Sequence, residues 1–342
     1  MSDRPIYGAV LCAGFGTRLR PLTNRLPKPL IPFLNTPIVT YALDHLSRAG
    51  AQKVGVNLHH LADTIPPVVD AICERFGLPV SYAREWEILG TAGGIRGIWK
   101  ALGEPDATLV ALNGDSIMNI DLAEHVRAHR EAGAAATIVV RPKDDDQPGR
   151  VWLDDDGRLR GLRDMRHPDA SDDLTEYDFT GVHILEPELL ADIPLEEGCM
   201  VGDVYGPMLE DGVEFNTSVN DDFWAALDNP DLFLETTKRV LDDPELFDQA
   251  PFPEPNEEAN FVAMDAELDE EAELETPVFL GRQATLQADA SAGPHAVIDG
   301  TTIGPHATVE RAVIYGMGDV EGEWADCIAV AGEVAHASDA SD

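Results

Sequence analysis

The 342-residue sequence predicts an α/β core of alternating strands and helices, followed by a short parallel β-helix. Three observations carry this. Through residues 1–241, short apolar runs alternate with stretches of helical spacing, the pattern of βαβ units. Two of those runs end in turn sequences that can meet a ligand: glycines after residue 12, and Asn-Gly-Asp after residue 112. From residue 277, apolar positions recur every six residues with glycines at the corners, as in a parallel β-helix.

Residues 5–12 (PIYGAVLC) read as a strand that runs directly into a glycine-rich turn. Residues 37–49 show helical spacing and end at Gly50, a C-cap signal. Strands at 53–58, 79–83 and 107–112 alternate with helices near 61–76 and 92–101. This alternation predicts a mostly parallel sheet, with ligands beyond the carboxyl ends of its strands. Residues 149–162 read as a hairpin turning at Asp155-Asp156-Gly157, 179–185 as a strand and 230–241 as a helix. The acid- and proline-rich stretch 242–276 reads as a linker. Beyond it Leu280, Leu286, Ala292 and Ile298 keep the six-residue step; after a one-residue slip, Ile303 and Val309 continue it. The expected domains are therefore 1–241, a linker at 242–276 and the β-helix at 277–335, with the last residues (HASDASD) a disordered tail.

Sixty-three acidic residues against 24 Lys and Arg give a net charge of −39. Such a surface excludes nucleic-acid binding, which rests on clustered cations. It suits a high-salt cytoplasm, where a screening length near 3 Å at about 1 M salt mutes self-repulsion. No apolar run nears the roughly 20 residues that cross a bilayer, and the N-terminus lacks the look of a signal peptide, so a cytoplasmic location is expected. Cys12, Cys73, Cys199 and Cys327 have no paired spacing; they are expected as small buried hydrophobes.

The strongest signal is LCAGFGTRLRPLTNRLPKPL, residues 11–30. It is neither a P-loop nor a dinucleotide fingerprint, since no G-K-[ST] follows and Leu19 stands where a third glycine belongs. Glycines after a strand let backbone N–H groups close on phosphate oxygens. Arg18 and Lys28 then set cations beside the loop, where a triphosphate would need them.

These residues resemble the sugar-phosphate nucleotidyltransferase family, whose signature is a G-x-G-T-R-L loop followed by a P-K pair. Here the loop is Gly14 to Leu19, preceded by Ala13, and the pair is Pro27-Lys28. The resemblance runs through most of residues 5–241. Glu85 with Leu89-Gly90-Thr91-Ala92-Gly93-Gly94 looks like the segment contacting base and sugar. Asn113-Gly114-Asp115 looks like the metal-binding turn, and Phe179-Thr180-Gly181 like the strand touching the sugar.

The resemblance implies a Rossmann-like, glycosyltransferase-A-type core with a left-handed β-helix appendage. It implies a nucleoside triphosphate and a sugar 1-phosphate as substrates, with Mg²⁺ on Asp115. Arg18 would stabilise the leaving pyrophosphate, and Lys28 would bind the α-phosphate or the sugar phosphate. Ala13, Gly14, Gly16, Thr17, Glu85, Gly90, Thr91, Ala92, Gly93, Asn113, Gly114, Thr180 and Gly181 would line the substrates.

Two stretches depart from the family pattern. Relatives carry W-x-D-[IVL]-G-T-P, whose Asp is a second metal ligand; here Trp224-Ala225-Ala226-Leu227-Asp228-Asn229-Pro230 puts Ala226 at that position. Relatives often carry an E-K-P segment; here Asp164-Met165-Arg166 stands there without the lysine. Mannose-1-phosphate guanylyltransferase-like and muramate-phosphate uridylyltransferase-like activities both fit. The alternative is a weak or inactive sugar-nucleotide-binding regulatory paralogue. A β-helix acyltransferase using His295 or His306 fits less well. Self-association through the β-helix, or pairing with a paralogue, is open.

Overall fold

The computed structural model describes residues 4–143, 150–247 and 260–337. The chain forms two compact units: residues 1–14, 39–114 and 120–224 in the first; residues 15–38, 115–119 and 225–342 in the second.

The first unit is built on one mixed sheet. Its strands are β1 (Ile6–Leu11), β2 (Lys53–Leu58), β3 (Val80–Arg84), β4 (Thr108–Asn113), β5 (Ala136–Pro142), β6 (Val151–Leu153), β7 (Leu159–Leu162), β8 (Met165–Arg166), β9 (Thr175–Leu185) and β10 (Asn216–Val219). The main path runs β8-β7-β6-β9-β4-β1-β2-β3; off it, β5 pairs with β9 and with β10. Strands β1 to β4 are mutually parallel, as the alternation predicts. The other half is not: β9 runs antiparallel to β4, β5 and β6. The expected mostly parallel sheet is thus half right, because β6 to β9 follow one another through turns rather than crossover helices.

Helices α1 (Val39–Arg48), α2 (Ile65–Phe76), α3 (Gly90–Ala101) and α4 (Leu122–Ala132) end where local chemistry ends them. Asp121 caps α4 by accepting the Glu124 N–H, and left-handed Gly133 closes it. Ile95, Ile98 and Trp99 of α3 pack into one core with Ala9, Leu109, Ala111 and Ile138 of the sheet. The hairpin forms at the expected turn, where the Asp154 carboxylate accepts the N–H groups of Asp156 and Arg158.

The buried His183 and the partly buried Glu186 both contribute to this unit's response to acid. Burial alone would raise the Glu186 carboxyl, but hydrogen bonds from His129, Thr108 and Arg4 outweigh it and bring it down to about 2. Burial pushes His183, beside the Tyr205 hydroxyl, down to about 3. Both groups keep their deprotonated forms in the fold, so both stabilise it at neutral pH. His183 loses its contribution as pH falls from 6.5 toward 3, and Glu186 as pH falls from 4.5 toward 2. For Glu186 the full effect is at most about 3 kcal/mol. The melting temperature should therefore fall in two overlapping steps, and Glu186→Gln should flatten the lower one. A variant whose melting curve tracks the parent below pH 4.5 would remove Glu186 from this account.

The second unit is built around stacked coils. Phe261–Val262, Glu267–Leu268 and Glu273–Leu274 pair in parallel with Val278–Leu280, Thr285–Leu286 and Ser291–Ala292, eighteen residues on. Those in turn pair with Ala296–Ile303 and Thr308–Glu310. The one-residue slip is there: Leu286 meets Ile303, seventeen on. Every inward residue read from the sequence between Leu280 and Val309 is buried in one core. Strand Glu333–His336 closes the stack antiparallel to Cys327–Val330, so His336 belongs to the last strand and not to the expected tail. Residues 338–342 lie outside the described residues.

The β-helix begins before residue 277. Residues 261–274, read as part of the linker, are its first coil, and only 248–259 of that stretch lie outside the described residues. Asp265, Glu267, Asp269, Glu270, Glu271, Glu273 and Glu275 line this coil. Acidic side chains on an end coil discourage pairing with another chain.

The compact units also cut across the expected boundary at 241. Residues 15–38 belong with the β-helix: the Asn35 N–H donates to the Tyr315 hydroxyl at 2.8 Å, and Arg25 pairs with Glu333 at 3.2 Å. Phe33 meets Phe233, on helix α5 (Pro230–Asp242), and Phe247 edge-on. Cys12, Cys73 and Cys327 are buried as expected, but Cys199 is partly exposed. Burial raises its thiol, and the N–H groups of Gly202 and Val201 with Arg163 bring it below the ordinary value.

Candidate active site

In the first unit the expected residues gather at the carboxyl ends of the parallel strands. Asn57, near the end of β2, organises them: its carbonyl accepts the Cys12 N–H at 2.6 Å and its amide donates to Glu85 at 2.7 Å. The other Glu85 oxygen accepts the Leu89 N–H at 2.9 Å. Glu85 is buried, and these two bonds hold the turn into α3. Its position is that of a support for the Gly90 loop rather than of a free substrate ligand. Asn57 escaped the sequence reading, although its signal was there: an amide in the otherwise apolar VGVNL strand.

The loop itself is pinned from the other side. Gly198 accepts the Ala92 N–H and donates its own to Leu89, and the Thr91 hydroxyl accepts the Met200 N–H. A Cβ at Gly93 would lie 2.2 Å from the Glu196 carbonyl oxygen, which excludes any larger residue. Asn113 ends β4, and Gly181 faces it with φ +86; a Cβ there would lie 2.5 Å from the Asn113 amide nitrogen. Thr180 is fully buried and its hydroxyl donates to the Val139 carbonyl, so its side chain is turned away from any ligand. Ala92 and Gly114 are also buried, while Gly14 is open: nothing lies within 4 Å of its Cβ position. Arg166, at the place of the missing lysine, lies over the Trp152 ring and donates to two backbone carbonyls.

In the second unit the glycine turn and the cations come together. Gly16, at φ +60, starts the single turn Thr17–Leu19, and its carbonyl accepts the Thr23 hydroxyl at 2.9 Å. Lys28 lies under this turn, with its Cβ 3.1 Å from the Gly16 Cβ position. Its ammonium donates to Asp115 at 2.9 Å and to Asp228 at 2.6 Å. The second Asp228 oxygen pairs with Arg18 at 2.9 Å. Side-chain exposure rises from 6% at Lys28 through 26% at Asp228 and 38% at Asp115 to 64% at Arg18. The cluster is therefore anchored at its lysine and open at its arginine. Burial would raise the Asp228 carboxyl, but Lys28 and Arg18 outweigh it and hold it below the ordinary value. Ala226 ends the short strand Trp224–Ala226.

Sheets of this kind bind nucleotides beyond the carboxyl ends of their parallel strands, and glycine turns at helix starts suit phosphates. The family model for nucleotidyl transferase matches residues 7–243, and the chain belongs to this family of sugar-phosphate nucleotidyltransferases. The UTP–glucose-1-phosphate uridylyltransferase of Synechocystis sp. is 31% identical over 322 residues, covering 90% of this chain and 82% of that one. The mannose-1-phosphate guanyltransferase of Aspergillus oryzae is 28% identical over 236 residues, 67% of this chain but only 62% of its own length. The crystal structure of HddC from Yersinia pseudotuberculosis complexed with GMP-PN shares the fold with a TM-score of 0.54 at 20% identity, covering 68% and 99% of the two chains. Among the described residues, no helix is long and apolar enough to cross a membrane.

Proposed function

We propose that the chain joins a uridine or guanosine triphosphate to a hexose 1-phosphate, and that Lys28, Arg18 and Asp115 carry the reaction. The observation behind this is the cluster of those three side chains with Asp228 beside the Gly16 turn. In the reaction a sugar-phosphate oxygen forms a bond to the α-phosphorus. The bond from that phosphorus to the bridging oxygen breaks, and the electron pair leaves with pyrophosphate.

The chemistry asks for alignment and charge neutralisation. Lys28, fixed from below by two carboxylates, offers an ammonium held in one place. Arg18, the most exposed member, can swing onto the departing pyrophosphate. The open turn that Gly16 starts would offer backbone N–H groups to phosphates. Mg²⁺, held on Asp115, would supply positive charge that neutralises the phosphates. Asp115 fits that ion: it is a hard oxygen donor, half-exposed, in a cluster open on one side. Among the described residues no trio of His, Cys, Asp or Glu forms a protein-only cage.

A second reading rests on Ala226. With a carboxylate missing there, the chain would bind sugar nucleotides and turn them over slowly or not at all. Pyrophosphate release from the five common nucleoside triphosphates, each with a set of hexose 1-phosphates, distinguishes the two. Release with a uridine or guanosine nucleotide at ordinary enzymatic rates is expected. Nucleotide binding without release would favour the second reading.

A further inference from the structure

The stretch 224–230 differs from the family pattern at two positions that answer each other. A carboxylate is missing at Ala226, and one is present at Asp228, where the pattern has glycine. The local fold explains how the second could serve for the first. The strand ends at Ala226 and α5 begins at Pro230, with Asn229 capping it by accepting the Leu232 N–H at 2.8 Å. Leu227 is fully buried and pins the corner between them, which leaves Asp228 to project from it. Its two oxygens reach Lys28 and Arg18, and the Lys28 ammonium is shared with Asp115. The relocated acid therefore shares the ammonium of the expected metal ligand instead of facing solvent alone.

We propose that Asp228 is the second carboxylate of the nucleotide-bound divalent cation, in place of the one absent at Ala226; this rests on the function proposed above. A shared ammonium marks a place where two hard oxygen donors already hold positive charge in common. A divalent ion bound by one or two carboxylates and by phosphates asks for the same donors. Asp228 then has a binding role, and the carboxylate can be moved back to 226 without loss.

The test measures Mn²⁺ binding by its electron paramagnetic resonance signal, with the nucleoside triphosphate that the natural protein binds most tightly. The same nucleotide is titrated in EDTA, and thermal melting confirms that each variant is folded. Asp228→Asn should weaken Mn²⁺–nucleotide binding at least about tenfold, leaving metal-free affinity unchanged or improved, since a negative charge beside the phosphates is gone. The double variant Ala226→Asp/Asp228→Gly should restore the Mn²⁺ affinity.

If Asp228→Asn binds the nucleotide more tightly with and without metal, Asp228 is a competing counter-charge and the proposal fails. It fails also if both affinities drop equally, since Asp228 then only positions Lys28 and Arg18, or if neither changes. A folded double variant that stays as weak as Asp228→Asn overturns it too. A natural protein that binds no nucleotide in either condition would overturn the proposed function itself, and this inference with it.

Discussion

Lys28→Met should lower turnover by about 10²–10³-fold, the usual cost of removing one preorganised charge from a transition state. It should also lower stability. The lysine side chain is 6% exposed and its ammonium is bonded to two carboxylates. Removing it takes from both acids the ammonium they share, with Arg18 still paired to Asp228. Breaking a buried pair this way costs about 3–5 kcal/mol; the partial exposure of both acids puts the expectation at the low end. Urea unfolding and steady-state pyrophosphate release measure the two effects separately. A folded variant with unchanged kcat would remove Lys28 from the reaction, whatever its effect on stability.

Asp115→Asn should have the opposite profile, with a large effect on metal-dependent binding and a small one on the fold. Lys28 keeps its shorter bond to Asp228 in this variant, so the buried ammonium stays paired. The neutral amide remains a weak oxygen donor, but the charge that draws a divalent cation is gone. Nucleotide affinity in Mg²⁺ should fall by about 10²-fold or more, which is two steps of roughly 1.4 kcal/mol. Affinity in EDTA should hold or improve. Calorimetric titration in the two buffers gives both numbers. Equal affinity of variant and parent in Mg²⁺ would show that Asp115 holds no metal.

Much of this architecture was legible in the chain because local chemistry wrote it. Strand 53–58 lies where its apolar run puts it, and α2 ends at Gly77 in the left-handed conformation. The β-helix offered more than was read. Val262, Leu268 and Leu274 extend the step of Leu280, Leu286 and Ala292 backward at six-residue spacing. The density of Asp and Glu between them made a coil look like a linker. Charge set the composition there, while the period alone carried the fold. Positions in step at a coil end need not be fully buried: Leu268 is 40% exposed there.

The sequence by itself determined the family, the α/β core, the repeat and the pairing of a glycine loop with Arg18 and Lys28. Each is a pattern of neighbours or fixed spacings, readable without distances. The tertiary structure decided which polar side chains are already engaged. It placed Asn57 between Cys12 and Glu85, turned Thr180 inward, and gave Lys28 two carboxylates rather than one. It also brought Asp228 to Arg18 and Lys28. No spacing rule could foresee that contact, because Asp228 is 200 residues from Lys28. Whether an acid two positions beyond Ala226 reaches that ammonium depends on a corner pinned by one buried leucine.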